Sequence, residues 1–106
     1  MSGDAPAPFR VSYSQRQLLQ LRAMADQAAA AGLLDRYSAA LDHIHHCLSE
    51  DPVGFGDQNY TLHGMGLPVF LRIYSVLRFT DAVDVERRIV YIRSIHLFLP
   101  RTGHSA

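Results

Sequence analysis

The chain has 106 residues, of which 48% are hydrophobic and 19% are charged. This length allows one domain with one core, and these fractions are typical of a folded globular protein, which excludes a largely disordered chain. Ten arginines balance ten acidic residues and there is no lysine, so the zero net charge excludes a strong non-specific grip on nucleic acid but leaves room for a local arginine cluster.

The N-terminal stretch predicts a flexible segment followed by a short strand. Residues 1–8 are rich in alanine and proline and are expected to be frayed. They carry neither the basic region nor the apolar region of a secretion signal. Residues 9–13 then alternate apolar and polar side chains, which is the period of a β-strand.

Two helices are predicted next. Ser14 and Gln17 have the spacing of a capping box, and apolar residues recur after them at helical intervals until Gly32. The second helix covers residues 34–48, whose apolar side chains form one narrow stripe, and Pro52 enforces its end. Because Gly32 is the only break between them, the two helices are expected to form an αα-hairpin.

The second half of the chain predicts strands. Residues 69–74, 77–85 and 89–98 are rich in β-branched and aromatic side chains, and a short strand around residues 60–62 could precede them. The polar residues 86–88 form a turn that pairs the last two strands as a hairpin. The last strand is apolar on both faces apart from Arg93, Ser94 and His96, which suits a central strand with helices on one side.

These elements predict an α+β fold. A short N-terminal strand and a helix hairpin would pack on a C-terminal antiparallel sheet of three to four strands. The single domain is expected to cover residues 9–100, between the flexible segment at 1–8 and a C-terminal tail at 101–106.

Location is predicted from two further features. The single cysteine, Cys47, excludes an internal disulfide and fits a reducing compartment. No apolar run approaches the roughly 20 residues that a membrane-spanning helix needs. The protein is therefore expected to be cytoplasmic and to have no membrane partner.

The order of the elements and several short motifs resemble the RelE/ParE toxin superfamily, over residues 9–98. The loop after the second helix, the first long strand and the final hairpin carry the likeness, in the segments Leu62-His63-Gly64, Leu71-Arg72-Ile73, Leu77-Arg78-Phe79 and Arg87-Arg88-Ile89-Val90-Tyr91-Ile92. The resemblance implies a divergent toxin of a toxin–antitoxin system.

The resemblance also implies an activity and partners. The activity would be that of a weak or inactive mRNA endonuclease, either free or dependent on the ribosome, and it would need no cofactor. The partners would be an antitoxin-like protein segment and RNA or the ribosome. The alternatives are a non-catalytic protein-interaction module on the same fold and a gyrase-directed toxin of the ParE branch. The sequence does not decide whether the chain is an enzyme or what its oligomeric state is.

Two of the candidate site residues follow from the resemblance, and the other three follow from the chemistry of a possible arginine and histidine patch on one face of the sheet, in which His96 or His63 would be the acid or base. Arg72 and Arg78 match basic positions of the family and would stabilise charge on a phosphate, while His96 would carry the proton. Arg93 and His63 would contact RNA.

The sequence also contains evidence against this site. Asp81 stands where the family has a tyrosine, and its carboxylate would repel a phosphate. The alternative is that the arginines pair with Asp81, Asp84 and Glu86 across strands, with each pair contributing only about 0.2–1 kcal/mol.

His43, His46 and Cys47 lie at helical spacings that metal ligands can have. One helix face seldom supplies a complete tetrahedral site, so a solvated polar face is the simpler explanation. No metal is therefore predicted.

Overall fold

The computed structural model describes residues 8–54, 57–61 and 66–99. The predicted tail at 101–106 and most of the predicted segment at 1–8 lie outside these residues. The α+β class is confirmed, with helices α1 (Gln15–Ala30) and α2 (Leu34–Glu50) and strands β1 (Arg10–Ser12), β2 (Asp57–Thr61), β3 (Pro68–Tyr74), β4 (Leu77–Asp84) and β5 (Ile89–Leu97).

Helix α1 begins at the predicted capping box. The Ser14 hydroxyl accepts a hydrogen bond from the backbone N–H of Gln17 at 3.1 Å, and the Gln17 side chain accepts one from the N–H of Ser14 at 2.8 Å. These two bonds satisfy backbone donors that the first turn of a helix otherwise leaves without partners.

Gly32 ends α1 and starts the turn into α2. Its φ of +74° lies in the left-handed region, which costs glycine little. The N–H of Gly32 bonds to the Ala29 carbonyl at 3.1 Å, and the N–H of Leu33 bonds to the Ala28 carbonyl at 2.7 Å. This pattern is a Schellman motif, and it turns the chain so that the two helices form the predicted hairpin.

The core lies between the helix hairpin and the sheet. Helix α2 contributes Ile44 and Leu48, which are fully buried, and β4 contributes Phe79 and Val83. Burying side chains of this size stabilises the fold by roughly 1.5–3 kcal/mol each before the entropy of ordering is counted.

The sheet differs from the prediction in one respect. It has five strands in the order β1-β5-β4-β3-β2, and the four C-terminal strands are antiparallel as expected. The short β1, however, joins the same sheet and pairs in parallel with β5, with Val11 opposite Val90. The helix hairpin carries the chain from β1 at one edge of the sheet to β2 at the other edge, and the antiparallel strands β2, β3, β4 and β5 then lead back, so the first and last strands lie side by side.

The cross-strand register defines two faces of the sheet. Phe79 is opposite Ile95, and both belong to the core beneath the helices. Because side chains alternate along a strand, Arg78 and its partner His96 point to the other side. We call this side, opposite α1 and α2, the open face.

Candidate functional site

Arg78 and His96 are direct cross-strand partners on the open face. Arg78 lies in β4 and His96 in β5, and both are exposed. The opposite face of these strands packs in the core through Leu77, Phe79 and Ile95. The two polar side chains therefore project from a well-packed part of the sheet. The structure therefore brings together two of the three side chains predicted to be catalytic.

Phe98 lies directly after β5 and contacts both of these residues. Its ring meets the His96 ring edge to face, with 4.6 Å between the centroids, and the guanidinium carbon of Arg78 lies 5.4 Å from the Phe98 centroid. The N–H of Phe98 bonds to the Val76 carbonyl at 2.7 Å, which holds the segment beside β4. We call Arg78, His96 and Phe98 the open-face cluster.

The open-face cluster combines three chemical abilities. Arg78 supplies a permanent positive charge with donors that suit a phosphate. His96 supplies an imidazole, which can donate or accept a proton. Phe98, with 41% of its surface exposed, offers an aromatic ring for stacking. Phe98 could not be predicted as part of this cluster, because its position after the last strand does not show that it folds back over Arg78.

Arg72 lies on the other side of the sheet. It is opposite Phe79, beneath the helices, and is fully buried. Its Nε and Nη2 atoms donate to the two carboxylate oxygens of Asp81 at 2.8 and 2.9 Å, and its guanidinium stacks over the Phe70 ring at 4.4 Å. The structure does not bring Arg72 together with Arg78 and His96, so the open-face cluster has a single arginine.

Asp81 also faces the helices rather than the open face. Burial raises the pKa of its carboxyl group, while the hydrogen bonds and charge of Arg72 act in the opposite direction. The expected repulsion between Asp81 and a phosphate therefore does not arise at the open-face cluster. The cross-strand pairing considered from sequence is observed for this arginine.

The two predicted RNA-contacting residues have different outcomes. Arg93 is exposed and occupies a β-bulge in β5, because Thr80 is opposite Ser94 while the next residue, Asp81, is opposite Ile92. His63 lies outside the described residues. The bulge places Arg93 beside a cleft between α1 and β5 rather than in the open-face cluster.

The histidine and cysteine cluster on α2 is engaged in packing. The His43 ring stacks on Tyr74 with 3.9 Å between centroids, and its Nε2 atom lies 3.7 Å from the sulfur of Cys47. Within the described ranges, no three His, Cys, Asp or Glu side chains are placed to hold a metal ion. This geometry gives no further support to a metal site at His43, His46 and Cys47, which their helical spacing alone would allow.

Comparisons with known proteins do not indicate a function for this chain. No protein-family model, curated protein or solved structure matches the chain. In the part of the chain that the structure describes, neither helix has the length and apolar character needed to cross a bilayer.

Proposed function

We propose that this chain is a RelE/ParE-like toxin-family protein that binds RNA through the open-face cluster and cleaves it slowly. The observation that carries the proposal is the register of β4 and β5, which sets Arg78 opposite His96 with Phe98 touching both. Its place of action would be the cytoplasm, and an antitoxin-like protein segment would hold it inactive.

The chemistry of the cluster favours single-stranded RNA over a duplex. Unstacked bases pack on aromatic rings and on guanidinium planes, and both are present within a few ångströms. The open-face cluster contains one arginine, and the chain has no net charge. Electrostatic attraction alone therefore cannot bind a long RNA tightly, so stacking on Phe98 has to contribute.

The residues also suffice for slow cleavage of a phosphodiester. His96 would take the proton from a 2′-OH, whose oxygen attacks the adjacent phosphorus while the bond to the 5′ oxygen breaks. The protonated imidazole then returns the proton to the leaving oxygen, which gives a 2′,3′-cyclic phosphate and a 5′-OH. Arg78 would stabilise the charge on the phosphate oxygens. Because Arg72 is buried against Asp81, one cation has to do this alone.

A second candidate function is a non-catalytic protein-interaction module. The observation that favours it is the exposed apolar surface at the same end of the sheet, where Ile73 is 60% exposed, Phe98 41% and Leu99 38%. A partner segment could cover these side chains without any proton transfer.

Growth and RNA assays on matched variants separate the two candidates. Expression of the chain should slow growth, and Arg78→Gln and His96→Asn should relieve the arrest, whereas Arg36→Gln, which removes an exposed arginine from α2, should not. Purified protein should bind a labelled single-stranded RNA, and Arg78→Gln should weaken binding about tenfold or more. Wild-type protein that neither binds RNA nor slows growth would overturn the proposal and leave the interaction module.

A further inference from the structure

A cleft of about 590 Å³ lies between the start of α1 and the edge of β5. Strand β1 pairs with β5 only from Ile89 to Tyr91, so the remaining edge of β5 is left to α1. Two glutamine amides of α1 bond to this edge, Gln17 to the Ile92 carbonyl at 2.7 Å and Gln20 to the Ile95 carbonyl at 3.1 Å. These bonds fix the width of the cleft.

The charged groups of the cleft have one sign. Arg16 and Arg93 line it, one from α1 and one from the bulge of β5, and no carboxylate is among the described residues that line it. Neither arginine lies within ion-pair distance of an acidic side chain in the described ranges. The two guanidinium groups therefore line an opening to which the described residues contribute no compensating negative charge.

The position of Arg16 runs against local electrostatics. It lies in the first turn of α1, where the helix dipole disfavours a positive charge, and that turn has no acidic residue. The guanidinium of Arg16 has only hydrogen-bond donors, so it cannot cap the free N–H groups of that turn and does not complete the helix end. Arg36 lies in the first turn of α2 as well, but Asp35 accompanies it there, whereas the charge of Arg16 has no acidic residue in its turn, which fits a site for an anion.

The cleft adjoins the open-face cluster. Ser94 lines the cleft and shares the open face with His96, two positions further along β5. An RNA strand that crosses His96 and continues along β5 would pass over Ser94 and reach Arg93.

We infer that this cleft binds a backbone phosphate of the same RNA strand through Arg16 and Arg93, with the Ser94 hydroxyl at its entrance. The inference rests on the RNA binding proposed above and extends it to a second contact that catalysis does not use. The ligand class is thus a single-stranded polynucleotide long enough to span both places, since a short oligonucleotide would occupy the open-face cluster alone.

The test measures binding of labelled oligouridines of about 3 and about 12 nucleotides over a range of salt concentrations. For the longer RNA, the double variant Arg16→Gln/Arg93→Gln should bind about tenfold more weakly and lower the slope of log K against log salt by about 0.7, the value for one lost phosphate contact on a single strand. The same variant should bind the shorter RNA like the wild type. Arg36→Gln is the matched control, because it also removes an exposed arginine from the first turn of a helix.

The outcomes distinguish failure of the cleft from failure of the proposed function. If Arg78→Gln weakens binding while the double variant behaves like Arg36→Gln, the cleft inference is overturned and the proposed function stands. If the wild type binds neither RNA, both are overturned.

Discussion

Arg72 and Asp81 form a two-point salt bridge under the helices, with nitrogen–oxygen distances of 2.8 and 2.9 Å and no exposure of either side chain. Removing one partner leaves the other charge buried without its counterion. Removing both leaves a site that apolar side chains can fill. The two residues should therefore behave as a unit in stability measurements.

We expect Asp81→Leu and Arg72→Met each to lower the free energy of unfolding by about 3–5 kcal/mol, which is a large part of the stability of a domain this size. The double variant Arg72→Met/Asp81→Leu should recover most of that loss. Urea denaturation of the four proteins measures the coupling. Losses that simply add in the double variant would show that the two side chains do not depend on each other.

The same double variant also tests the role that the resemblance assigned to Arg72. If the side chain only supports the fold, the double variant should bind RNA like the wild type once it is folded. A loss as large as that of Arg78→Gln would mean that Arg72 reaches the phosphate in a conformation other than this one.

The burial of Arg72 shows why the site was harder to predict than the fold. The strands and helices follow from local periodicity and from caps such as Ser14 and Gly32, and these lie near their predicted positions. The alternation in β3 and β4 puts Arg72 and Asp81 on the core side, and Asp81 is visible in the sequence as the one polar residue on that face of β4. Two opposite charges on the core side of neighbouring strands indicate a buried ion pair. The register that brings them together cannot be predicted from the sequence of either strand.

The pairing of β1 with β5 could not be predicted for a related reason. The alternation in residues 9–13 indicates a strand, but a three-residue parallel contact between the two ends of the chain leaves no pattern in the sequence. The position of Phe98 over Arg78 is equally a product of tertiary structure, since it depends on how the chain continues past β5.

The capping box gives a prediction about local stability. Ser14→Ala removes the hydroxyl that accepts the N–H of Gln17, and we expect a loss of about 1 kcal/mol in the free energy of unfolding. Ser38→Ala is the control, because Ser38 is exposed inside α2, where alanine is the better helix former. Equal effects of the two substitutions on the urea midpoint would contradict a capping role.

Tyr13 gives a prediction about alkaline pH. Burial, reinforced by nearby Tyr37, raises the pKa of its hydroxyl group from 10.0 to about 12. The folded protein therefore keeps the proton at pH values where the unfolded chain loses it, and the stability that depends on the neutral hydroxyl is complete below about pH 10 and lost as the pH rises towards about 12.

The measurement is the free energy of unfolding in urea at several pH values between about 7 and about 11. Tyr13→Phe cannot ionise and should show a shallower decline than the wild type. It should not abolish the decline, because burial also raises the pKa of Tyr37, whose hydroxyl donates to the Leu21 carbonyl at 2.8 Å. Identical pH profiles for the two proteins would contradict the assignment.

Phe98 separates binding from stability more cleanly than any other residue of the open-face cluster. Its ring is 41% exposed and its ring contacts with Arg78 and His96 are contacts with exposed side chains, so Phe98→Ala should lower the free energy of unfolding by about 1 kcal/mol or less. Loss of an aromatic platform for a base should nevertheless weaken RNA binding by about 1–3 kcal/mol, and it should leave the salt slope unchanged because no charge is removed. Arg78→Gln should also weaken RNA binding, but it should lower the salt slope because it removes a positive charge. Leu99→Ala, a similarly exposed apolar truncation one residue further along, is the matched control.

If Phe98→Ala and Leu99→Ala weaken binding of a protein partner equally while RNA binding is unaffected by either, the ring serves an apolar interface and the interaction module becomes the better account of this surface.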